Sequence, residues 1–205
     1  MAPSDRFRQR KQPKQLRSAE TRQRIVDAAA QIFAEYGYAA GTTNRIAERA
    51  GMSIGSVYQY FPNKDAVLRA LMQAHADAGA RLIAERTSNG LPPALDDALR
   101  VFVRATIDNH RDDPRLHRVL FEEAPRAPEF LAYIHDMERQ AVEAAAVLLD
   151  AYPSTRASRL TAPVVVTTIE SLVHRLVTTQ LPVDLDELEN EIVLLLGRYL
   201  RDADQ

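Results

Sequence analysis

The stretch Thr42–Phe61, TTNRIAERAGMSIGSVYQYF, constrains this chain more than any other. Ile46, Ala47 and Ala50 fall at helical spacing and Gly51 ends the run. Thr42 or Thr43 can cap this short helix, because a side-chain oxygen ahead of a helix accepts one of its unpaired backbone N–H groups. Gly51-Met52-Ser53 then reads as a tight turn, and Ser53 can cap a further helix over Ile54–Tyr60. Pro62 stops that helix at Phe61, since a residue before proline avoids helical geometry. Two short helices joined by a brief glycine-containing turn make a helix-turn-helix. Ala47 lets the two helices approach closely, and Ile46 with Val57 supplies their small shared core. In such a motif the second helix lies in the major groove of DNA, its N-terminal part against the base edges. The small residues Gly55 and Ser56 suit that approach, and Tyr58, Gln59 and Tyr60 offer hydroxyl and amide groups to phosphates or bases.

The surrounding sequence is helical in period throughout. Ile25, Ala28, Ala29, Ile32, Phe33 and Tyr36 share one face of a helix that starts near Thr21, and Gly37 follows as its C-cap. Asn63 caps a fourth helix with Val67, Leu68, Leu71, His75, Ala78 and Leu82 on one side, running to about Arg86. Lys64, at the start of that helix, is placed to meet a phosphate, and the helix N-terminus itself favours an anion. Further helices are expected over Leu95–Asn109, from Pro114 through Glu123 behind an Asp113 cap, and onward to Asp150 with the stripe Phe130, Ile134, Met137, Ala141, Ala144, Leu148. Another spans Thr155–Gln180 with an irregularity near Pro163, and a last one, Leu185–Arg201, opens on the capping-box pair Asp184 and Glu187. The fold class is all-α, with about nine helices and no sheet. The run Val164–Val166 belongs to a helix, because Ile169, Leu172, Val173 and Leu176 continue it at helical spacing.

Charge divides the chain. Residues 1–69 hold 12 Lys and Arg against 6 Asp and Glu, a net of +6, while residues 70–205 hold 14 Arg against 22 acids, a net of −8. A basic first third on an acidic remainder points to one end meeting a polyanion. Residues 1–19 read as a flexible basic arm, 20–68 as the helix-turn-helix domain and 69–205 as a second helical domain. Hydrophobic residues make up 46% of the chain, enough for a globular core. Cysteine is absent, which rules out disulfides and thiolate metal sites. No uncharged apolar run of about 18 residues occurs, so a cytoplasmic protein without membrane contact is expected.

The residues TRQRIVDAAAQIFAEYGY and TTNRIAERAGMSIGSVYQYFPNKDAVL resemble the N-terminal domain of the TetR (tetracycline repressor) family of bacterial regulators. The order Gly-x-Ser-x-Gly-Ser-Val-Tyr-x-Tyr-Phe-x-Asn-Lys carries the likeness. The resemblance implies a dimeric transcriptional regulator, a repressor released from a palindromic double-stranded DNA operator by a small-molecule effector. It places Thr43 and Asn44 near the DNA backbone, Ser53, Ile54, Gly55, Ser56 and Tyr58 toward the groove, and Tyr60 and Lys64 on phosphates; Gln59 joins this set from its position. Many family members carry Thr where this chain has Ser56. Ile54 and Gly55 offer little hydrogen bonding, so specificity leans on Asn44, Tyr58, thymine-methyl contact and DNA shape.

The resemblance further implies a homodimer built on the last two helices. Val165, Ile169, Leu172, Val173 and Leu176 on one, and Leu188, Ile192, Leu195, Leu196 and Tyr199 on the other, provide apolar faces for a four-helix bundle, or for the chain's own core. An effector pocket is expected among the middle helices, with Phe102, His110, His117, Phe121, Phe130, Tyr133, Met137 and His174 as candidates. No cofactor, metal or catalytic residue is expected. Glu170 with His174 and His135 with Glu138 have ligand-like helical spacing, yet such pairs are commonly surface pairs. His-Glu-x-x-His, Gly-rich phosphate loops and Gly-x-Ser-x-Gly are all missing. The competing readings are an effector-independent or architectural DNA binder, and a metal sensor.

Overall fold

The computed structural model of the chain describes residues 13–111, 113–125, 128–152, 155, 159–178 and 183–201. These residues form nine α-helices, with a π-helical turn following the sixth, and no strand. The helices are α1 (Pro13–Ala40), α2 (Thr43–Arg49), α3 (Ile54–Tyr58), α4 (Lys64–Arg86), α5 (Leu95–Arg111), α6 (Pro114–Arg118), α7 (Pro128–Leu149), α8 (Thr161–Thr178) and α9 (Leu185–Arg201); the π turn is Val119–Glu123. Two compact units divide the chain, Met1–Leu71 and Met72–Gln205, and their boundary falls inside α4. No helix among the described residues is long and apolar enough to cross a membrane.

The first unit is built around α1. Its Ile25, Val26, Ala28, Ala29, Ile32 and Phe33 are buried together with Ile46, Ala47 and Ala50 of α2, Val57 of α3, Phe61, and Val67 and Leu68 of α4. The helical stripe reaches this core, except that Tyr36 stays 43% exposed, with the Arg45 guanidinium 4.2 Å from its ring centre. Gly37 breaks the helix at φ 75°, a left-handed conformation that glycine adopts without Cβ strain. α1 extends back to Pro13, so the inner part of the expected arm, residues 13–19, is helical rather than irregular. The rest of that arm lies outside the described residues.

In the second unit α5 is central. Its Leu99, Val103 and Ile107 pack into one core with Val165, Ile169 and Val173 of α8 and Leu188, Ile192, Val193, Leu196 and Leu200 of α9. Ion pairs close over this core. Arg100 reaches the buried carboxylate of Glu189 at 2.7 Å, Arg104 pairs with both Glu189 and Asp186, and Arg201 meets Asp96 at 2.6 Å. α8 starts at Thr161 rather than Thr155, which puts Pro163 in the first turn, where a missing N–H breaks no intrahelical bond. The expected irregularity is therefore a helix start. The α7 stripe differs as well: no α7 residue is fully buried, and Ala141 and Ala144 stand exposed.

Candidate functional site

The helix-turn-helix is held by caps and one small core. Thr42 caps α2, accepting from the backbone N–H of Arg45, and Ser53 caps α3, accepting from that of Ser56 at 3.1 Å. Gly51 takes the turn at φ 65°. At the other end of α2, the Arg24 guanidinium donates to the carbonyl of Ala50 at 2.6 Å, so α1 satisfies a carbonyl that the helix leaves open. Ile46 and Val57 are fully buried between the two short helices. Val57 is the one buried residue of α3.

The remaining α3 side chains face outward. Ser53, Gly55, Tyr58 and Gln59 are exposed, and Ile54, Ser56 and Tyr60 are half-buried. Asn44 is exposed at the start of α2, with Thr43 beside it. The hydroxyls of Thr43 and Tyr58 lie 3.3 Å apart, so these two candidate contacts support one another across the motif. The Ser53 and Ser56 hydroxyls are similarly paired at 2.9 Å. A Cβ placed on Gly55 would meet only the Ser53 hydroxyl, at 3.9 Å. The fold has room for a side chain at Gly55, and its smallness serves whatever lies outside.

Lys64 does more than sit at a helix start. Its ammonium donates to the carbonyls of Tyr38 at 2.8 Å and Ala39 at 3.2 Å, and lies 4.1 Å from the centre of the Tyr38 ring. An ammonium has three donors, and two of them are engaged by the chain that follows the Gly37 kink. Tyr38 in turn donates its hydroxyl to Asp65, and burial together with that carboxylate raises the Tyr38 pKa. This tie between α4 and the end of α1 is not legible in the local sequence, because it joins residues 26 positions apart.

In the second unit, four of the eight candidate effector residues come together. The rings of His110 and His117 stack at 4.4 Å, and Phe121 lies 4.5 Å from His174 and 6.2 Å from His117. His75 of α4 completes this cluster, 4.5 Å from His117 and 5.1 Å from His110. Sequence periodicity had placed His75 only on an apolar helix face. Burial drives the imidazoles toward their neutral forms: it lowers the pKa of His75 to about 4 and that of His117 to about 2, aided by the neighbouring histidines. His110 is also lowered by burial, against the pull of the Thr106 carbonyl. His110 Nε2 and His117 Nδ1 are buried without a hydrogen-bond partner, a condition that costs about 1–3 kcal/mol per group. Of the other candidates, Phe102 packs against the core, Tyr133 donates to Gln73 at 2.5 Å, and Phe130 and Met137 are half-buried on α7.

The expected dimer residues separate into two groups. Val165, Ile169, Val173, Leu188, Ile192 and Leu196 are at most 6% exposed within the single chain. They form the chain's own core, the second use that the sequence allowed for these apolar faces. Leu172, Leu176 and Tyr199 pack at the edge of that core. Leu195 is 52% exposed, and its neighbour Leu194, which the helical reading passed over, is 44% exposed.

Comparison with known proteins agrees with this architecture. Residues 25–71 match the family described as "Bacterial regulatory proteins, tetR family", and residues 94–200 match "Tetracyclin repressor-like, C-terminal domain". The HTH-type transcriptional regulator SrpR of Pseudomonas putida is 34% identical over 134 residues, covering 60% of this chain and 62% of the relative. The HTH-type transcriptional repressor Rv1474c of Mycobacterium tuberculosis is 36% identical over 81 residues, 40% of this chain and 42% of the relative. The chain thus spans less than two thirds of the length of these curated relatives. The solved fatty acid degradation regulator FadR from Bacillus halodurans shares the fold, with a TM-score of 0.73 at 24% identity over 92% of this chain and 96% of that one. The second family match alone covers more than half of the sequence, and with the first it shows that the chain belongs to the TetR family of bacterial regulatory proteins.

Proposed function

We propose that the protein is a homodimeric, sequence-specific DNA-binding transcriptional regulator, acting in the cytoplasm as a repressor that a small-molecule effector releases from a palindromic operator. One observation carries this reading: α3 commits a single side chain, Val57, to the core and leaves Ser53, Gly55, Tyr58 and Gln59 open to solvent. A five-residue helix gains little from such exposure unless something large docks against it. Phosphate contacts fall to Thr43, Tyr60 and Lys64, and base readout to Asn44, Ser53, Ile54, Ser56 and Tyr58. One such motif reads a short half-site, and a two-fold pair reads two half-sites about 34–36 Å apart or a multiple of that. The exposed Leu194 and Leu195 of α9 support the pairing. The domain division we adopt is the one expected from sequence, 20–68 for DNA and 69–205 for effector and dimer. We assign the protein no catalytic residue.

The deciding experiment is selection of duplexes from a random pool by the full chain, followed by footprinting. A single protected palindrome is the expected result. Diffuse protection without a consensus would replace this reading with an architectural role. Screening small molecules for release of the selected duplex then tests the effector, and release by none of them would leave a regulator that responds to no such ligand.

A further inference from the structure

One ring nitrogen from each of His75, His110 and His117 lies within 4.8 Å of the others. The three residues come from α4, α5 and α6. We propose that His75, His110 and His117 form a binding site for a divalent transition-metal ion of the zinc class. The inference goes beyond the DNA-binding reading and does not depend on it.

Backbone hydrogen bonds set the tautomers. His110 Nδ1 lies 2.8 Å from the carbonyl of Thr106, so that nitrogen carries the proton and Nε2 keeps its lone pair. His117 Nε2 lies 3.2 Å from the carbonyl of Asn109, which leaves the lone pair on Nδ1. Those two lone-pair nitrogens are the ones buried without a partner. Metal-bound histidines characteristically give their other N–H to a carbonyl in this way, which fixes ring orientation and raises ligand basicity. A purely packed imidazole has no need of a stranded acceptor.

The third ring is served by the same asparagine. The Asn109 side-chain amide lies 3.2 Å and 3.3 Å from the two nitrogens of His75. The same amide nitrogen donates to the His75 backbone carbonyl at 3.4 Å, which holds His75 beside Asn109 and leaves its ring free to present a nitrogen to an ion. Asn109 would then position two of the three ligands, one through its backbone and one through its side chain.

The chemistry selects the ion class. Three neutral imidazoles suit zinc and its neighbours and do not suit magnesium or calcium, which prefer oxygen. Bonds of about 2.0–2.1 Å in a tetrahedron hold the nitrogens about 3.3 Å apart, so the rings need to close by small rotations. A fourth position is within reach of α8: Glu170 Oε2 is 3.9 Å from His110 Nε2, and His174 Nδ1 is buried without a partner.

The test uses the full, tag-free chain, stripped with chelator and titrated with Zn2+ by calorimetry and with Co2+ by visible absorption. The expected result is one ion per chain, with the intense Co2+ bands of a four-coordinate site. His75→Gln should weaken binding at least about tenfold, and Asn109→Ala by about 10- to 100-fold. His135→Gln, on the exposed side of α7, should leave it unchanged. His75 is half-buried, so its variant and the unmodified chain decide the matter if changes at the buried His110 and His117 prevent folding. No saturable uptake of Zn2+ or Co2+ at roughly 100 μM metal, uptake that His75→Gln leaves intact, or uptake that His135→Gln removes would each overturn the site.

Discussion

At the scale of single residues, two glycines of the first unit have opposite meanings. A Cβ on Gly41 would run into the ring of Phe33, which is fully buried. Gly41→Ala should therefore destabilise the protein by about 1–3 kcal/mol, the range for overpacking a tight core, visible as a lowered midpoint in denaturant. Gly55 has open space instead. Gly55→Ala should hold or raise stability, since alanine favours a helix by about 0.5–1 kcal/mol over glycine, while operator affinity drops by about tenfold, or 1.4 kcal/mol. A stability loss with unchanged affinity would reverse the assignment. Lys64 combines both kinds of role. Lys64→Met should weaken binding to all duplexes about equally, as expected of a phosphate contact. It should also lower the denaturation midpoint, because the ammonium ties α4 to the carbonyls of Tyr38 and Ala39.

At the scale of elements, side-chain caps are where sequence and structure agree best. Thr42, Ser53, Asn63, Asp113 and Asp184 each accept a backbone N–H from the first turn of the helix they precede. Asn63→Ala should cost about 0.5–2 kcal/mol, measured by thermal denaturation; no change would mean that α4 is held from elsewhere. Caps are legible because their cause lies within three residues. The start of α8 differs from the sequence expectation for the complementary reason: Pro163 lies in the first turn of the helix rather than inside it, and nothing local to it marks the difference. The π turn at Val119–Glu123 gave no sequence signal, since Leu116, Val119 and Leu120 fit an ordinary helical face equally well. The histidine cluster was only half legible. His110, His117 and His174 stood out as polar residues among apolar ones, but His75 reaches them from α4, some 35 positions before His110, through packing that periodicity does not encode.

At the scale of the whole molecule, the division between core and surface on α9 sets the terms for assembly. Ile192 and Leu196 are sealed inside the chain, whereas Leu194 and Leu195 are about half exposed. Leu195→Glu should weaken self-association at least about tenfold by sedimentation and leave the circular dichroism spectrum intact. Ile192→Glu should instead prevent folding of the second unit, because an unpaired buried charge has no compensating partner. If Leu195→Glu leaves the association unchanged, the dimer uses another face. The lone buried residue of α3 has a different kind of consequence. Val57 alone anchors that helix in the core, whereas Ser53 caps the helix it opens, so under the proposed function Ile54, Gly55 and Gln59 are the positions of α3 and its C-cap whose change leaves the hold on the motif intact. Changes of target that pass through those positions carry little folding penalty, whereas changes at Ser53 carry the cost of a lost cap, about 0.5–2 kcal/mol, so drift from one operator to another is open along some paths and closed along others.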